Sequence, residues 1–210
     1  MTVWDERITN NKEAPQVDYK KELSKYVETE KQKTFFEENE WDFLKRGDKY
    51  EAWDEIDFTK EATTDISFEV KLEDIKNYAK GALDDNPMFL DEDYAKESAY
   101  GEVIAHPMIS TAIEFWCLRK GMGDWIRTPG SRNPGMRWEF YEPIKVGDVI
   151  RLRTRPYDRW IKRNKYYLTY QMDFIDQNNA IKMRHWVTLI LPKTRADLIK
   201  FMKGEHALEA

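Results

Sequence analysis

The residues best suited to chemistry lie in one stretch, residues 81–108, which reads GALDDNPMFLDEDYAKESAYGEVIAHPM. It contains an acidic pair, Asp84 and Asp85, then an Asn-Pro turn, and it ends in a lone His-Pro that begins at His106. Carboxylates and imidazoles are common proton-transfer groups in active sites. Structural interpretations compete with that one, because Asp84 could close a tight turn before Pro87 and His106 could be a hydrogen-bonded residue at the mouth of a helix.

A second chemical feature is the basic run at 151–165. Its arginines alternate with apolar residues over 149–155, which places their charges on one face of a predicted strand. This pattern is typical of a solvated sheet face. It would also suit the phosphates of coenzyme A or of a carrier-protein pantetheine, since guanidinium groups match phosphate geometry. Nucleic acid is a weaker interpretation, because the net charge is −5 and no known nucleic-acid motif is present.

Composition excludes several other classes of protein. At 210 residues, with 41% hydrophobic residues and eight tryptophans, the chain is long and apolar enough for one sizeable core. Its single cysteine, Cys117, excludes internal disulfides and a cysteine-cluster metal site, and the three scattered histidines lack metal-ligand spacing. No segment reads as a signal peptide or a membrane span, so we expect a cytoplasmic protein that binds no metal, membrane or nucleic acid.

Three regions are expected along the chain: a charged helical N-terminal extension (1–46), a globular domain (47–192) and a polar C-terminal tail (193–210). Within the extension, sparse apolar positions predict one or two surface helices that dock on their own domain or on a partner. Alternating apolar residues predict a strand over 64–70. Helical spacing then predicts a helix over 71–83, which the Asp-Asn-Pro loop ends.

A second helix is predicted over 107–121, with Pro107 in its first turn and Gly121 just after its last. It is apolar on most sides, which is typical of a buried helix. On the last predicted strand His185 falls in phase with apolar residues, so we interpret it as a core or interface histidine. Strands are predicted over 136–143, 149–157, 165–175 and 180–191, with turns at VGD (146–148) and DQNN (176–179). This order predicts an α+β fold, an antiparallel β-sheet wrapped around a buried central helix.

Taken in order, these motifs resemble the MaoC-like hot-dog dehydratases, which include the R-specific enoyl-CoA hydratases and the dehydratase regions of fatty-acid synthases. The likeness covers about residues 47–192 and rests on a helix, D-x-N-P, DEDYA, GEVIAH before a buried helix, and a strand–VGD–strand unit. It implies a hot-dog fold, binding of an acyl-CoA or acyl-carrier thioester, and reversible addition of water across a 2-enoyl bond. It implies no cofactor beyond coenzyme A as part of the substrate. It also implies a homodimer, or a heterodimer with a second hot-dog subunit.

The resemblance places the Asp of the family's D-x-N-P-x-H motif at Asp84, its Asn at Asn86 and its His at Phe89. Phenylalanine can neither donate nor accept a proton, so the pair of proton-transfer groups is incomplete. The family also tends to bind the thioester carbonyl on backbone N–H groups at the start of the hot-dog helix, where Pro107 has none. Two interpretations follow: a site rebuilt around Asp84 and His106, or the non-catalytic half of a two-subunit hydratase.

We therefore expect an enoyl-CoA hydratase or 3-hydroxyacyl-CoA dehydratase component, a hydro-lyase that acts alone or only with a partner subunit. Asp84 and His106 are the expected catalytic residues. The expected substrate-binding residues are Asn86, Phe89, Ile109 and Arg159. A non-catalytic acyl-binding subunit is the main alternative. A hot-dog thioesterase is another; it usually needs a carboxylate on the hot-dog helix, and Glu114 is the only acidic residue there.

Overall fold

The computed structural model describes residues 18–39, 50–119 and 128–203, and the chain forms two compact units, 1–41 and 42–210. In the first unit lie α1 (Tyr19–Ser24) and α2 (Glu30–Glu38), which agree with the one or two helices predicted there. Thr29 and Gln32 exchange hydrogen bonds across the start of α2, and this capping box explains where the helix begins. The domain boundary predicted between residues 46 and 47 lies outside the described residues.

The second unit is built on a β-sheet. Its strands are β1 (Ala62–Thr63), β2 (Phe68–Glu69), β3 (Arg132–Phe140), β4 (Val149–Lys162), β5 (Lys165–Ile175) and β6 (Ile181–Leu191). All pairs are antiparallel in the order β1-β4-β5-β6-β3, and β2 also pairs with β4. Arg163 and Asn164 both have positive φ, as the tight turn that joins β4 to β5 requires.

The helices described in the second unit are α3 (Leu72–Gly81), α4 (Pro87–Leu90), α5 (Glu92–Lys96), α6 (Ile109–Cys117) and α7 (Arg195–Met202), with a short 3-10 turn at Trp53–Glu55. Helix α7 falls inside the segment predicted as a polar tail, and its Leu198 is fully buried. In the described part of the chain no helix is long and apolar enough to cross a membrane.

Helix α6 lies in the core, as its apolar surface predicts. Its residues Ile109, Ile113 and Cys117 are at most 1% exposed, and each buried side chain of this size stabilises the fold by about 2 kcal/mol. The same core cluster contains the strand residues Ile150, Leu152, Leu168, Met172, Phe174, Val187 and Leu189. The predicted architecture, an antiparallel sheet around a buried helix, is confirmed. The helix begins at Ile109 rather than at Pro107, and the predicted cap Gly121 lies outside the described residues.

Three strand predictions differ from the structure, and one of them concerns β4, which continues to Lys162 instead of ending at residue 157. The strand predicted over 64–70 is interrupted, because the Thr64 hydroxyl donates to the carbonyl of Ile66 and accepts the N–H of Leu152, at 2.9 and 3.1 Å. The Thr64 side chain thus makes hydrogen bonds that backbone groups would make if one strand ran from β1 to β2. Strand β3 begins earlier than predicted and includes Pro134. An edge strand with an irregular register, as found here before Gly135, tolerates a proline.

Candidate functional site

Asp84 lies directly after α3, in a loop shaped by backbone hydrogen bonds. Leu83 leaves the helix in the left-handed conformation, with φ of 56°, and the N–H of Asp84 donates to the carbonyl of Ala79 at 2.9 Å. Asp84 Oδ1 accepts the N–H of Asn86 at 3.0 Å, as in an Asx turn. The turn and the chemical interpretation of Asp84 are compatible, because the turn uses only one carboxylate oxygen.

His106 lies next to the other oxygen of that carboxylate. Its Nε2 is 3.4 Å from Asp84 Oδ2, so the structure brings the two catalytic candidates together. Its Nδ1 accepts the backbone N–H of Met108 at 3.0 Å. Because an N–H group can only donate, the proton of the neutral imidazole is on Nε2, facing Asp84. The His106 side chain is 20% exposed and that of Asp84 34%, so water can reach the pair.

Two aromatic rings hold the imidazole of His106 in place. Phe89, from α4, meets it edge to face with 5.3 Å between ring centroids, and Tyr78, from α3, lies 5.5 Å away. Phe89 is only 7% exposed, so the residue at the motif's histidine position packs against the one histidine of the loop region. Burial raises the pKa of the Tyr78 phenol, which therefore stays protonated. Phe89 contributes shape and orientation here, and no proton transfer.

The backbone N–H groups at the start of α6 are largely used within the chain. Pro107 has none, Met108 donates to His106 Nδ1, and the N–H of Ile109 donates to the carbonyl of His106 at 2.9 Å. An oxyanion site at this turn would therefore lack its first donors. The sequence shows that Pro107 lacks the backbone N–H donor, and the structure shows that the N–H groups of the two following residues are also unavailable.

A pocket of about 240 Å³ opens beside His106. Its walls come from the segment before α6, from the end of β3 and from β6, and they include Tyr100, Ile104, Phe140, Tyr141 and Met183. Ligand sites are commonly concave, mostly apolar and supplied with a few polar groups. The volume is slightly below the roughly 300 Å³ at which drug-sized sites begin, so the pocket suits a slender ligand.

Asn86 and Ile109, both predicted to bind substrate, have structural partners. The Asn86 side-chain oxygen accepts the N–H of Met88 at 3.0 Å and caps α4, and so fixes the loop that carries Asp84. Ile109 is 1% exposed and packs in the core at the first turn of α6.

Arg159 lies apart from the other predicted site residues. Its guanidinium covers the rings of Trp53 and Phe58, 5.0 and 5.1 Å from their centroids. On β5 its pairing partner is Leu168, whereas the pocket residue Met183 pairs with Phe174, about 20 Å further along the strand. The structure does not bring Arg159 to the pocket beside His106.

Two other arginines of the basic run have partners on the sheet face. Arg153 donates to Asp173 at 3.0 Å and Arg155 donates to Gln171 at 3.1 Å. This agrees with the sheet-face interpretation of the alternating pattern.

The carboxylate that a thioesterase would need is engaged elsewhere. Glu114 is 3% exposed, and its Oε2 is 3.1 Å from Nδ1 of His185. His185, at 1% exposure, is a core histidine, as its strand phase predicted. Among the described residues no group of three or more His, Cys, Asp or Glu side chains is arranged to hold a metal ion.

Sequence reasoning missed Tyr78 and the pocket wall. Tyr78 stands in the last turns of the helix predicted over 71–83, just before the Asp84 loop, and that position is a usable signal. Phe140 and Met183 face the pocket as a cross-strand pair of β3 and β6. Nothing in the local sequence of either strand indicates that register.

Two curated proteins match part of the chain. A UPF0336 protein from Thermobifida fusca is 31% identical over 94 residues, which is 41% of this chain and 59% of that protein. An (R)-specific enoyl-CoA hydratase from Rhodospirillum rubrum is 29% identical over 77 residues, which is 37% of this chain and 51% of that protein. The chain thus spans between about half and three fifths of the length of these relatives.

Solved structures share the fold at lower identity. A monoamine oxidase regulatory protein from Archaeoglobus fulgidus has a TM-score of 0.61 at 17% identity, covering 69% of this chain and 96% of that one. R-hydratase PhaJ1 from Pseudomonas aeruginosa has a TM-score of 0.55 at 20% identity, covering 68% and 86%. The (3R)-hydroxyacyl-ACP dehydratase complex HadBC from Mycobacterium tuberculosis has a TM-score of 0.50 at 16% identity, covering 64% and 97%. The predicted hot-dog fold is confirmed.

The family model described as FAS1-like, dehydratase domain region, matches residues 58–185, more than half of the chain. The matched range holds Asp84, Phe89, His106 and the whole of α6. The family resemblance seen in the sequence is confirmed: this chain belongs to the FAS1-like dehydratase region family of MaoC-like hot-dog proteins.

Proposed function

We propose that this chain is a component of an enoyl-CoA hydratase or 3-hydroxyacyl-CoA dehydratase in which Asp84 and His106 handle the proton. The observation that carries the proposal is the 3.4 Å separation of Asp84 Oδ2 and His106 Nε2 beside a largely apolar pocket. Membership of the dehydratase family supports the class of reaction. The relative from Rhodospirillum rubrum, an (R)-specific enoyl-CoA hydratase, supports hydration as the reaction and an enoyl-CoA as the type of substrate.

One water molecule can contact both groups, because atoms 3.4 Å apart can each lie at hydrogen-bond distance from the same oxygen. His106 Nε2–H donates to the water, and the Asp84 carboxylate accepts one of its protons. In the hydration direction, Asp84 takes that proton as the water oxygen bonds to C3 of the enoyl group. The proton then passes to C2, so that H and OH are added in total and the carboxylate is restored.

The substrate is an acyl-CoA or acyl-carrier thioester whose acyl group enters the pocket beside His106. Coenzyme A takes part as a portion of the substrate, and the reaction needs no other cofactor. Arg159, about 20 Å along the strand from the pocket, does not contact an acyl group bound there.

A non-catalytic subunit is the second candidate, favoured by two observations. Phe89 stands where the family's motif has its histidine, and the amides of Met108 and Ile109 are already used. In that arrangement this chain shapes an acyl pocket, and a partner hot dog supplies the Asp/His pair.

The sheet offers a surface for such a partner. In the described strands β3 lies at one end of the sheet, and its Met136 and Phe140 are 55% and 51% exposed. An open strand edge with exposed apolar side chains is a ready pairing surface. We infer that a second hot-dog subunit, the same chain or another, pairs with β3, as the HadBC complex among the structural neighbours supports.

The test is hydration of a panel of 2-enoyl-CoAs by the purified chain, with Asp84→Asn and the matched control Asp85→Asn. Asp85 is the exposed neighbouring carboxylate, and only Asp84 contacts His106. We expect turnover to fall about 10²- to 10⁴-fold in Asp84→Asn and to be unchanged in Asp85→Asn. Turnover that survives in Asp84→Asn removes Asp84 from the mechanism. A folded chain that turns over no substrate alone favours the non-catalytic subunit.

A further inference from the structure

A second polar cluster lies deep between α6 and β6. His185 Nδ1 is 3.1 Å from Glu114 Oε2, and the two residues are 1% and 3% exposed. Ser110 lies one turn before Glu114 on the same helix and is fully buried. Within the part of the chain that the structure describes, neither His185 Nε2 nor Ser110 Oγ has a hydrogen-bond partner. The cluster thus contains one hydrogen-bonded pair and two buried polar atoms without a hydrogen-bond partner.

Such atoms are expensive to bury. A buried polar group without a partner costs about 1–3 kcal/mol, and folded proteins keep few of them. Apolar residues of similar size would avoid this cost at both positions. Two orphan atoms on facing elements therefore point to a polar group that is supplied from outside the chain.

The two segments that carry this cluster also contribute residues to the pocket beside His106. On β6 the pocket residue Met183 pairs with Phe140, and the next inward-facing residue is His185, which pairs with Trp138. On the helix side Pro107 lines the pocket, and Ser110 follows one turn later. An acyl group that extends inward past the flexible side chain of Met183 approaches His185 and Ser110.

The hydrogen-bonding capacity of the cluster is defined. In the neutral tautomer whose Nδ1–H donates to Glu114 Oε2, Nε2 of His185 is an acceptor. The hydroxyl of Ser110 can donate. Trp138 stacks on the imidazole, with 3.5 Å between centroids and 4° between planes, and so holds the ring in one orientation. The cluster therefore offers one acceptor and one donor in fixed places.

We propose that Ser110 and His185 bind a hydroxyl group carried by the acyl chain, at a carbon beyond the reacting C2 and C3. This rests on the proposed acyl-thioester function and names its substrate class. A hydroxyl donates to Nε2 and accepts from Ser110, so it satisfies both orphan atoms at once. A carboxylate has no proton to donate to Nε2, so it satisfies only the hydroxyl of Ser110. A plain hydrocarbon chain leaves both atoms unpaired.

The experiment measures binding of saturated acyl-CoAs, which cannot be hydrated, to the full chain by calorimetry. Each plain acyl-CoA is compared with hydroxylated analogues of equal length in which the hydroxyl moves along the chain from C4 outward. We expect one position to bind about tenfold more tightly than the plain chain. Ser110→Ala removes an unpaired hydroxyl and should fold normally while losing this preference. Thr111→Ala, which removes the neighbouring hydroxyl on a more exposed side of α6, should keep it.

Each outcome decides a different statement. A hydroxyl preference that disappears in Ser110→Ala and persists in Thr111→Ala supports the inference. Equal affinity of the wild-type chain for plain and hydroxylated acyl-CoAs overturns it and leaves the acyl-thioester site intact. Failure to bind any acyl-CoA overturns the proposed function itself.

Discussion

Nδ1 of His106 accepts the backbone N–H of Met108 at 3.0 Å, and this contact decides which ring nitrogen carries the proton. It aims Nε2–H at Asp84. It also uses the first amide after Pro107, which would otherwise be the nearest donor for a thioester carbonyl. His106 is thus part of the local backbone structure as well as part of the site.

Replacing His106 with Asn should separate these two roles. The side-chain oxygen of Asn lies about where Nδ1 does and can accept the Met108 N–H. The Asn side chain has no atom at the position of Nε2, so it is too short to contact Asp84. We expect His106→Asn to keep the free energy of unfolding within about 0.5 kcal/mol, whereas His106→Ala loses about 1–2 kcal/mol. Both variants should lose hydration activity. Urea denaturation that gives the same stability for both variants would contradict the capping role.

Restoring the motif at position 89 tests how far the site has diverged. Phe89→His places a second imidazole beside His106, in the spacing D-x-N-P-x-H. We expect the free energy of unfolding to fall by about 2 kcal/mol, because a polar ring replaces a buried phenyl group. Hydration of 2-enoyl-CoA should rise at least about tenfold, since a proton-transfer group is added. The control Phe89→Leu loses the same aromatic contact and should gain no activity. An activity of Phe89→His no higher than that of Phe89→Leu would show that the missing histidine does not limit this chain.

The framework of the fold could be predicted because its signals are local. Strand β5 was predicted over 165–175 and has those bounds, since alternation and the flanking turns both mark it. The buried helix could be predicted from its unbroken apolar surface. The short strands β1 and β2 could not, because the side chain of Thr64 interrupts the ladder through bonds to residues on both sides.

The site itself was predictable only in part. Asp84 and His106 could be named from the loop, but their contact depends on the left-handed end of α3 at Leu83 and on the bridge that pairs Ile104 with Lys145. The bridge is a tertiary feature, and the positive φ stands at a leucine, a residue type that does not indicate it. Arg159 was predicted to bind substrate from its charge alone. Charge does not indicate where along a long strand a residue lies relative to the pocket.

Asp173 should be a main source of acid sensitivity. Burial by itself would raise the pKa of its carboxyl, but hydrogen bonds from Arg184 and Arg153, at 2.5–3.0 Å, outweigh this and lower it. A lowered pKa in the folded state gives stability that is present above about pH 3.9, the unfolded value, and lost as the pH falls through the folded value. We expect Asp173→Asn to lose about 2–3 kcal/mol at pH 7, measured by urea denaturation, and this difference to vanish in acid.

The control for Asp173 is Glu92→Gln, which breaks the surface ion pair with Lys76. Exposed pairs contribute little, so this variant should be nearly as stable as the wild-type chain. A loss in Glu92→Gln as large as that in Asp173→Asn would mean that overall charge, rather than the buried contact, sets the acid sensitivity.

Cys117 reports on the packing of α6 against the sheet. Burial raises the pKa of its thiol to about 12, and the thiol donates to the carbonyl of Ile150 on β4. Only the thiolate reacts with disulfide reagents, so at pH 8 about one thiol in 10⁴ is reactive even before access is considered. We expect the native chain to react with such a reagent only as fast as α6 separates from the sheet, and the chain unfolded in guanidinium to react at once, with one thiol per chain. Prompt labelling of the native chain would mean that α6 does not stay packed on β4. The core around Ile113 and Leu152 would then open far more often than the burial of these residues implies.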